Sequence, residues 1–268
     1  MRIKNLILDM DGVLWRGDTP MPGLADFFST LDQLAMGYAL ATNNASKTIA
    51  QYEEKLGRFG VRIDPRFVLT SAEATASYVA REMGTETAVY IIGEDGLHEA
   101  FGRRGFPIVT VMAAATGATA DVVVFGFNRN LVYNDLAMGV LLVQKGAKLI
   151  GTNPDVTFPH ELGLLPGAGS TQAFLEAATG EKALVIGKPG RVMFEEALQR
   201  LGGTTADTAM VGDRLNTDIA GGKAAGLTTI MVLSGISKRE EAVGDMRPDY
   251  VFADISELAA HLKDGWYG

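Results

Sequence analysis

Four short stretches of this 268-residue chain place reactive side chains directly after runs of apolar residues. Asp9-Met10-Asp11-Gly12 sets two carboxylates one residue apart at the end of the first run. Thr42-Asn43-Asn44 follows a second run, Gly187-Lys188-Pro189 a third, and Gly212-Asp213 a fourth, with Asp218 shortly downstream. Carboxylates crowded beside a low-dielectric interior repel one another, and each then favours its neutral form. If Asp9, Asp11, Asp213 and Asp218 share one place, a positive charge belongs among them. A divalent cation with a preference for oxygen ligands fits that requirement, and Lys188 adds an ammonium. The Thr42 hydroxyl, the Asn43 amide and backbone N–H groups near a helix start suit the oxygens of an anion. A carboxylate nucleophile ringed by a metal, an ammonium and neutral donors describes phosphoryl transfer, whose transition state is stabilised by positioning and by charge around the equatorial oxygens.

Each stretch taken singly admits a plainer reading. Asp-x-Asp-Gly at a strand end is also a turn signature, and it lacks the glycine and closing glutamate spacing of an EF-hand. Thr42-Asn43-Asn44 is also N-cap chemistry. A lysine before proline is usually a solvated charge, and Gly-Asp with Asp218 is compatible with a loop entering a helix. Their order, and their common place after predicted strands, are what join them.

The elements that must position these residues alternate short β-branched runs with longer amphipathic stretches. Strands are expected at 3–8, 38–41, 68–69, 88–92, 108–111, 122–127, 148–151, 183–186, 209–211, 228–233 and 250–252. Helices are expected over 24–35, over about 46–59 with Ser46 as N-cap and Gly60 as stop, and from a Ser71 cap to Met83. Such alternation predicts an α/β fold with a mostly parallel sheet covered by helices. In open sheets of this kind ligands bind at the carboxyl ends of the strands. The stretch 84–181 holds a full set of strands and helices of its own. The expected organisation is therefore a core domain of 1–83 plus 182–268 with an inserted α/β domain of 84–181, and Gly84 and Gly180 as connectors.

Composition narrows the function classes. The formal net charge is −8 and no basic stripe with interleaved aromatics is visible, which argues against nucleic acid as a partner. The apolar runs fall far short of the roughly 20 residues of a membrane span, and the N-terminus lacks a signal-peptide pattern. The chain has no cysteine, hence no disulfide framework and no thiolate metal site. A cytoplasmic location is the expectation.

Together the segments LDMDGVLWRGDTPMPG, ATNNAS, GTNPD, PGAGS, VIGKPG and MVGDRLNTDIAGG resemble the haloacid-dehalogenase superfamily of phosphatases, most closely its NagD-like, p-nitrophenyl phosphatase branch. The resemblance spans essentially the whole chain. It implies a Rossmann-like core with a large α/β cap inserted after the third core strand. It also implies Asp9 as nucleophile through a phospho-aspartate intermediate, and Asp11 as general acid, then base. Thr42 and Lys188 would bind the transferring phosphoryl group, with Asn43 and Asn44 lining that cradle. Mg²⁺ would be held by Asp9, the backbone carbonyl of Asp11, and Asp213, while Asp218 orients Lys188 or a metal-bound water. The implied substrate is a small phosphate monoester, and a homodimer is admitted. Asp11 and Asp213 argue against dehalogenation, which needs neither a second acid nor the metal. Transfer to an acceptor other than water and a non-catalytic binder of phosphometabolites are the competing functions. The loop GTNPDVTFPHE is the expected specificity segment, with Asn153, Asp155, Phe158 and His160 as its candidate contacts; scaffold is the plainer reading of all four.

Overall fold

The computed structural model describes residues 3–160 and 162–265. Its strands run β1 (Asn5–Leu8), β2 (Trp15–Arg16), β3 (Thr19–Pro20), β4 (Gly37–Thr42), β5 (Val68–Thr70), β6 (Val89–Ile92), β7 (Ile108–Val109), β8 (Val122–Phe125), β9 (Lys148–Gly151), β10 (Thr157–His160), β11 (Gly163–Pro166), β12 (Leu184–Val185), β13 (Thr208–Gly212), β14 (Thr228–Val232) and β15 (Tyr250–Phe252). The chain divides into two compact units. The first comprises 1–42, 50–69 and 188–268; the second comprises 43–49 and 70–187.

In the first unit a six-stranded sheet has the order β15-β14-β13-β1-β4-β5. Strand β1 pairs in parallel with β13 on one side and β4 on the other, so the strand order reverses at β1. Such a reversal opens a crevice at the carboxyl edge of the sheet. Leu6, Ile7 and Leu8 are fully buried, as are Ala209, Met210 and Val211. A parallel strand covered on both faces demands this continuous apolar run rather than an alternating one. The helix Arg191–Leu201 packs on β4 and β1, and the helices Leu24–Gln33 and Ile255–Lys263 pack on one another.

The second unit is built on a five-stranded sheet of order β12-β9-β8-β6-β7, whose pairs are parallel, together with an antiparallel hairpin of β10 and β11. Tyr90, Ile92, Val123, Phe125, Leu142, Leu149 and Leu175 form its core. Both units are α/β with parallel sheets, as the strand–helix alternation predicts.

The differences from expectation are local and have physical causes. The strand expected at 183–186 shortens to β12, which pairs with β9 at the edge of the second unit's sheet. Residues 182–187 thus fall in the second unit, as do the helix Ser71–Met83 and the segment 43–49. Gly84 and Gly180 lie inside that unit, each ending a helix with φ of +86° and +77°, a backbone region that glycine enters without steric penalty. Ser46 does not cap the following helix, which begins at Ile49. Instead the Ser46 N–H and hydroxyl both donate to Asn44 Oδ1 at 2.8 Å, a local turn that competes with helix entry. Thr70, not Ser71, caps the next helix, accepting from the Glu73 N–H. Val111 opens a short helix instead of closing a strand. Among the described residues no helix is long and apolar enough to cross a membrane.

Candidate active site

The carboxyl edge of the six-stranded sheet gathers the reactive residues. Asp9 follows β1, Thr42 closes the neighbouring β4, and Asp213 follows β13 on the other side. Asp9 is anchored by its own N–H, which donates to Val211 O at 2.9 Å. Lys188 precedes the helix Arg191–Leu201 and is buried. Its Nζ lies 2.6 Å from Asp9 Oδ1, 2.7 Å from Asp218 Oδ1 and 2.9 Å from Ala41 O. Asp218 sits in a π-helical turn, Leu215–Ile219, and its Oδ2 accepts from the Arg214 N–H at 3.0 Å. Residues drawn from chain positions 9, 188, 213 and 218 thereby share one buried pocket of charge.

Its electrostatics follow from that crowding. One carboxylate oxygen from each of Asp9, Asp213 and Asp218 lies within 4.8 Å of the others, and all three residues are buried. Burial, with the charges of Asp9 and Asp218 alongside, pushes the Asp213 carboxyl up to about 7. Burial also raises Asp218, with Asp9 adding to the effect and Lys188 opposing it. For Lys188 burial works against the ammonium, but Asp218 and Asp9 outweigh it and hold the lysine above its ordinary range. One ammonium offsets part of the charge of three carboxylates, and the remainder calls for a cation.

The cluster fits a hard divalent ion on a further count. Asp213 Oδ2 accepts from the Ile236 N–H at 2.7 Å, while the buried Oδ1 has no hydrogen-bond partner among the described residues. A buried carboxylate oxygen without a donor is a costly omission unless a ligand completes it. Glycines make room there. A Cβ on Gly12, whose φ is +89°, would stand 2.6 Å from Asp213 Oδ2, and one on Gly235 would stand 1.9 Å from the same atom.

Asp11 is solvent-exposed beside this cluster, and its Oδ1 accepts a hydrogen bond from Trp15 Nε1 at 2.7 Å. Trp15 opens a β2–β3 hairpin that strand patterning does not predict, because two-residue strands carry no periodicity. The loop after β14 also escapes motif reading. Its Ser234 hydroxyl donates to Gly12 O at 2.7 Å, and its Ile236 and Ser237 N–H groups hold Asp213. The signal available for it is Leu233-Ser234-Gly235, small residues at the end of another predicted strand.

In the second unit Asn43 and Asn153 are tied together. Asn153 is buried; its Nδ2 donates to Asn43 O at 2.8 Å and its Oδ1 accepts from the Asp155 N–H at 3.1 Å. Asn43 Nδ2 in turn donates to Asp155 Oδ2 at 3.4 Å. Asn44 holds the turn to Ser46 described above. Phe158 is half-buried and packs edge-on against Phe127, ring centroids 4.6 Å apart. The expected loop is thus partly the β10–β11 hairpin, and Phe158 has the scaffold contact of the plainer reading. The side chain of His160 lies outside the described residues.

Comparison with known proteins gives a consistent relationship. Residues 6–107 match the family described as Haloacid dehalogenase-like hydrolase, and residues 185–258 match the HAD-hydrolase-like family. The chain is 35% identical to 5'-nucleotidase YutF of Bacillus subtilis, over 97% of this chain and 98% of that protein. It is 36% identical to an acid sugar phosphatase of Staphylococcus aureus, over 97% and 98% of the two chains. The p-nitrophenyl phosphatase from Archaeoglobus fulgidus superposes with a TM-score of 0.88 at 32% identity, covering 97% of this chain and 99% of that one.

Proposed function

The chain belongs to the haloacid dehalogenase-like hydrolases, in the branch of NagD and the p-nitrophenyl phosphatases, and from that premise we propose a Mg²⁺-dependent phosphatase that cleaves small-metabolite phosphate monoesters through a phospho-aspartate. That it is a phosphatase follows from its relatives along nearly their whole length. The observation that carries the mechanism is Asp9 Oδ1 held 2.6 Å from Lys188 Nζ inside a buried acidic cluster.

Asp9 attacks phosphorus, forming an acyl phosphate as the ester P–O bond breaks. Lys188 draws charge from the transferring oxygens, and Asp218 fixes its ammonium. The Thr42 hydroxyl donates to the phosphoryl oxygens. Asp11 gives a proton to the departing oxygen and takes one from the water that cleaves the acyl phosphate. Asp9, Asp213 and the backbone carbonyl of Asp11 would hold Mg²⁺. When bound, the ion supplies the positive charge that these carboxylates lack and offsets charge on the phosphoryl group.

Sugar phosphates and nucleoside monophosphates, the substrate classes in the relatives' names, are the first to test. The deciding experiment measures phosphate release from a panel of monoesters with and without Mg²⁺, for the wild type and Asp9→Asn. Release that needs the ion, is lost in the variant, and leaves a phosphoryl adduct on Asp9 after acid quench supports the proposal. Phosphate release by Asp9→Asn, or activity that survives thorough chelation, overturns it.

A further inference from the structure

We infer that Trp15 is a positioning residue for Asp11: its indole N–H occupies Asp11 Oδ1 and reserves Oδ2 for the catalytic proton. This rests on the proposed role of Asp11 in proton transfer. Asp11 is exposed, and an exposed aspartate normally samples several rotamers. Here one oxygen is held by Trp15 Nε1 at 2.7 Å.

The donor is itself tightly packed. Trp15 is fully buried, its ring stacked on Tyr52 with centroids 6.3 Å apart and tilted against Phe59 at 6.0 Å. Lys55 Nζ lies 4.5 Å from the ring centroid while donating to Gly17 O at 2.7 Å. A cation over the indole face favours this packing. The main chain adds a further constraint, since the Gly12 N–H donates to Trp15 O at 2.7 Å and the Leu14 N–H to Met10 O at 2.8 Å. The turn from Met10 to Trp15 therefore holds donor and acceptor in one closed frame.

The consequence is an assignment of atoms. An oxygen that accepts the indole N–H is the less favourable place for a proton, because protonation there weakens it as an acceptor and gives up the stronger bond. The neutral acid thus carries its hydrogen on Oδ2. That hydrogen passes to the ester oxygen as the P–O bond breaks and the Asp9–phosphorus bond forms, leaving Asp11 a carboxylate. In the second half, Oδ2 takes a proton from the attacking water as the Asp9–phosphorus bond breaks. Trp15 keeps its hydrogen throughout and restores the same geometry for each turnover.

Leaving-group dependence separates this role from a merely structural one. Trp15→Phe keeps an aromatic ring and removes the donor. Substitution by 3-benzothienylalanine, which keeps the bicyclic shape and lacks only the N–H, serves if Trp15→Phe does not fold. The quantity to measure is kcat/KM, which reports the steps through departure of the alcohol. For an alkyl monoester, whose alkoxide needs a proton, it falls about tenfold or more, part of the 10²–10⁴ that general acid–base catalysis supplies. For p-nitrophenyl phosphate, whose leaving group needs none, it stays within about twofold, because the lost interaction acts only on the proton transfer. In ¹⁵N–¹H spectra the Trp15 indole resonance shifts in Asp11→Asn, showing the bond without any turnover. Equal losses for both substrates, no loss for either, or an unmoved resonance overturns the inference. Asp11→Asn is the control for the underlying reading: if it retains full alkyl-phosphate activity, the acid–base role falls, and the Trp15 role with it. If it shows the leaving-group pattern and the Trp15 variants do not, only the positioning role falls.

Discussion

Lys188 Nζ lies 2.6 Å from Asp9 Oδ1 although 179 residues separate them. The same ammonium reaches Asp218 Oδ1 at 2.7 Å, so one buried cation bridges two buried carboxylates. Breaking such an arrangement from one side leaves uncompensated charge. Lys188→Met should lose phosphatase activity and, in metal-free buffer, about 3–5 kcal/mol of stability. Lys188→Arg should not restore turnover, because a planar fork does not replace a compact ammonium between two acids. Denaturant unfolding and a phosphate-release assay on both variants check this, and a wild-type midpoint for Lys188→Met refutes it.

Asp213 gives the pH dependence its sign. Its folded carboxyl titrates at about 7, against about 3.9 in an unfolded chain. Between those values the folded state binds more protons, so stability falls as pH rises through this window. The effect is on the order of a few kcal/mol. Chelated wild type should therefore lose thermal midpoint from pH 5 to pH 8 relative to Asp213→Asn. Added Mg²⁺ should recover stability on the alkaline side by binding the ionised form. Parallel pH profiles for wild type and variant contradict the assignment.

Gly235 tests the loop that motif reading passes over. A Cβ there meets Asp213 Oδ2 at 1.9 Å, so Gly235→Ala must displace the carboxylate or the loop. Displaced groups around a metal ligand lower metal affinity about 10–100-fold. Titration of the variant with Mg²⁺, followed by the thermal midpoint and by activity, should show a weaker apparent affinity with activity partly recovered at high ion concentration. An unchanged Mg²⁺ titration curve would separate this loop from the metal site.

Asn153 is expected to act on the frame of the second unit. Its amide donates to Asn43 O and its Oδ1 accepts from the Asp155 N–H while the side chain is buried. Asn153→Ala should destabilise the protein by about 1–2 kcal/mol, the loss expected for two neutral hydrogen bonds, one of whose partners keeps another donor. Chemical denaturation measures it, and a change below about 0.5 kcal/mol, the size of an ordinary surface substitution, would show that these bonds carry no net stability.

Much of the candidate site was legible in the chain. Asp9, Asp11 and Asp213 each follow an apolar run, because a covered parallel strand must be apolar and its carboxyl end is where polar groups can gather. Lys188 and Asp218 were legible as charged residues shortly after expected strands. Their contact was not, since nothing local to 187–189 or to 212–218 says that the two side chains meet.

The sequence by itself determined the α/β class, the strand ends that carry reactive groups, and the charge imbalance that calls for a cation; all of these depend on residue type and short-range periodicity. Tertiary structure alone decided the rest. Whether β12 joined the sheet of Asp9 or that of Lys148–Gly151 depended on which distant backbone offered its hydrogen bonds. Two residues of strand cannot encode that choice. The same non-local pairing set the break between the units at 187/188, just before Lys188. Pairing of β14 with β13 likewise brought the Ile236 N–H to Asp213. Periodicity reports which face of an element is buried, whereas partner choice is settled by packing across the whole fold.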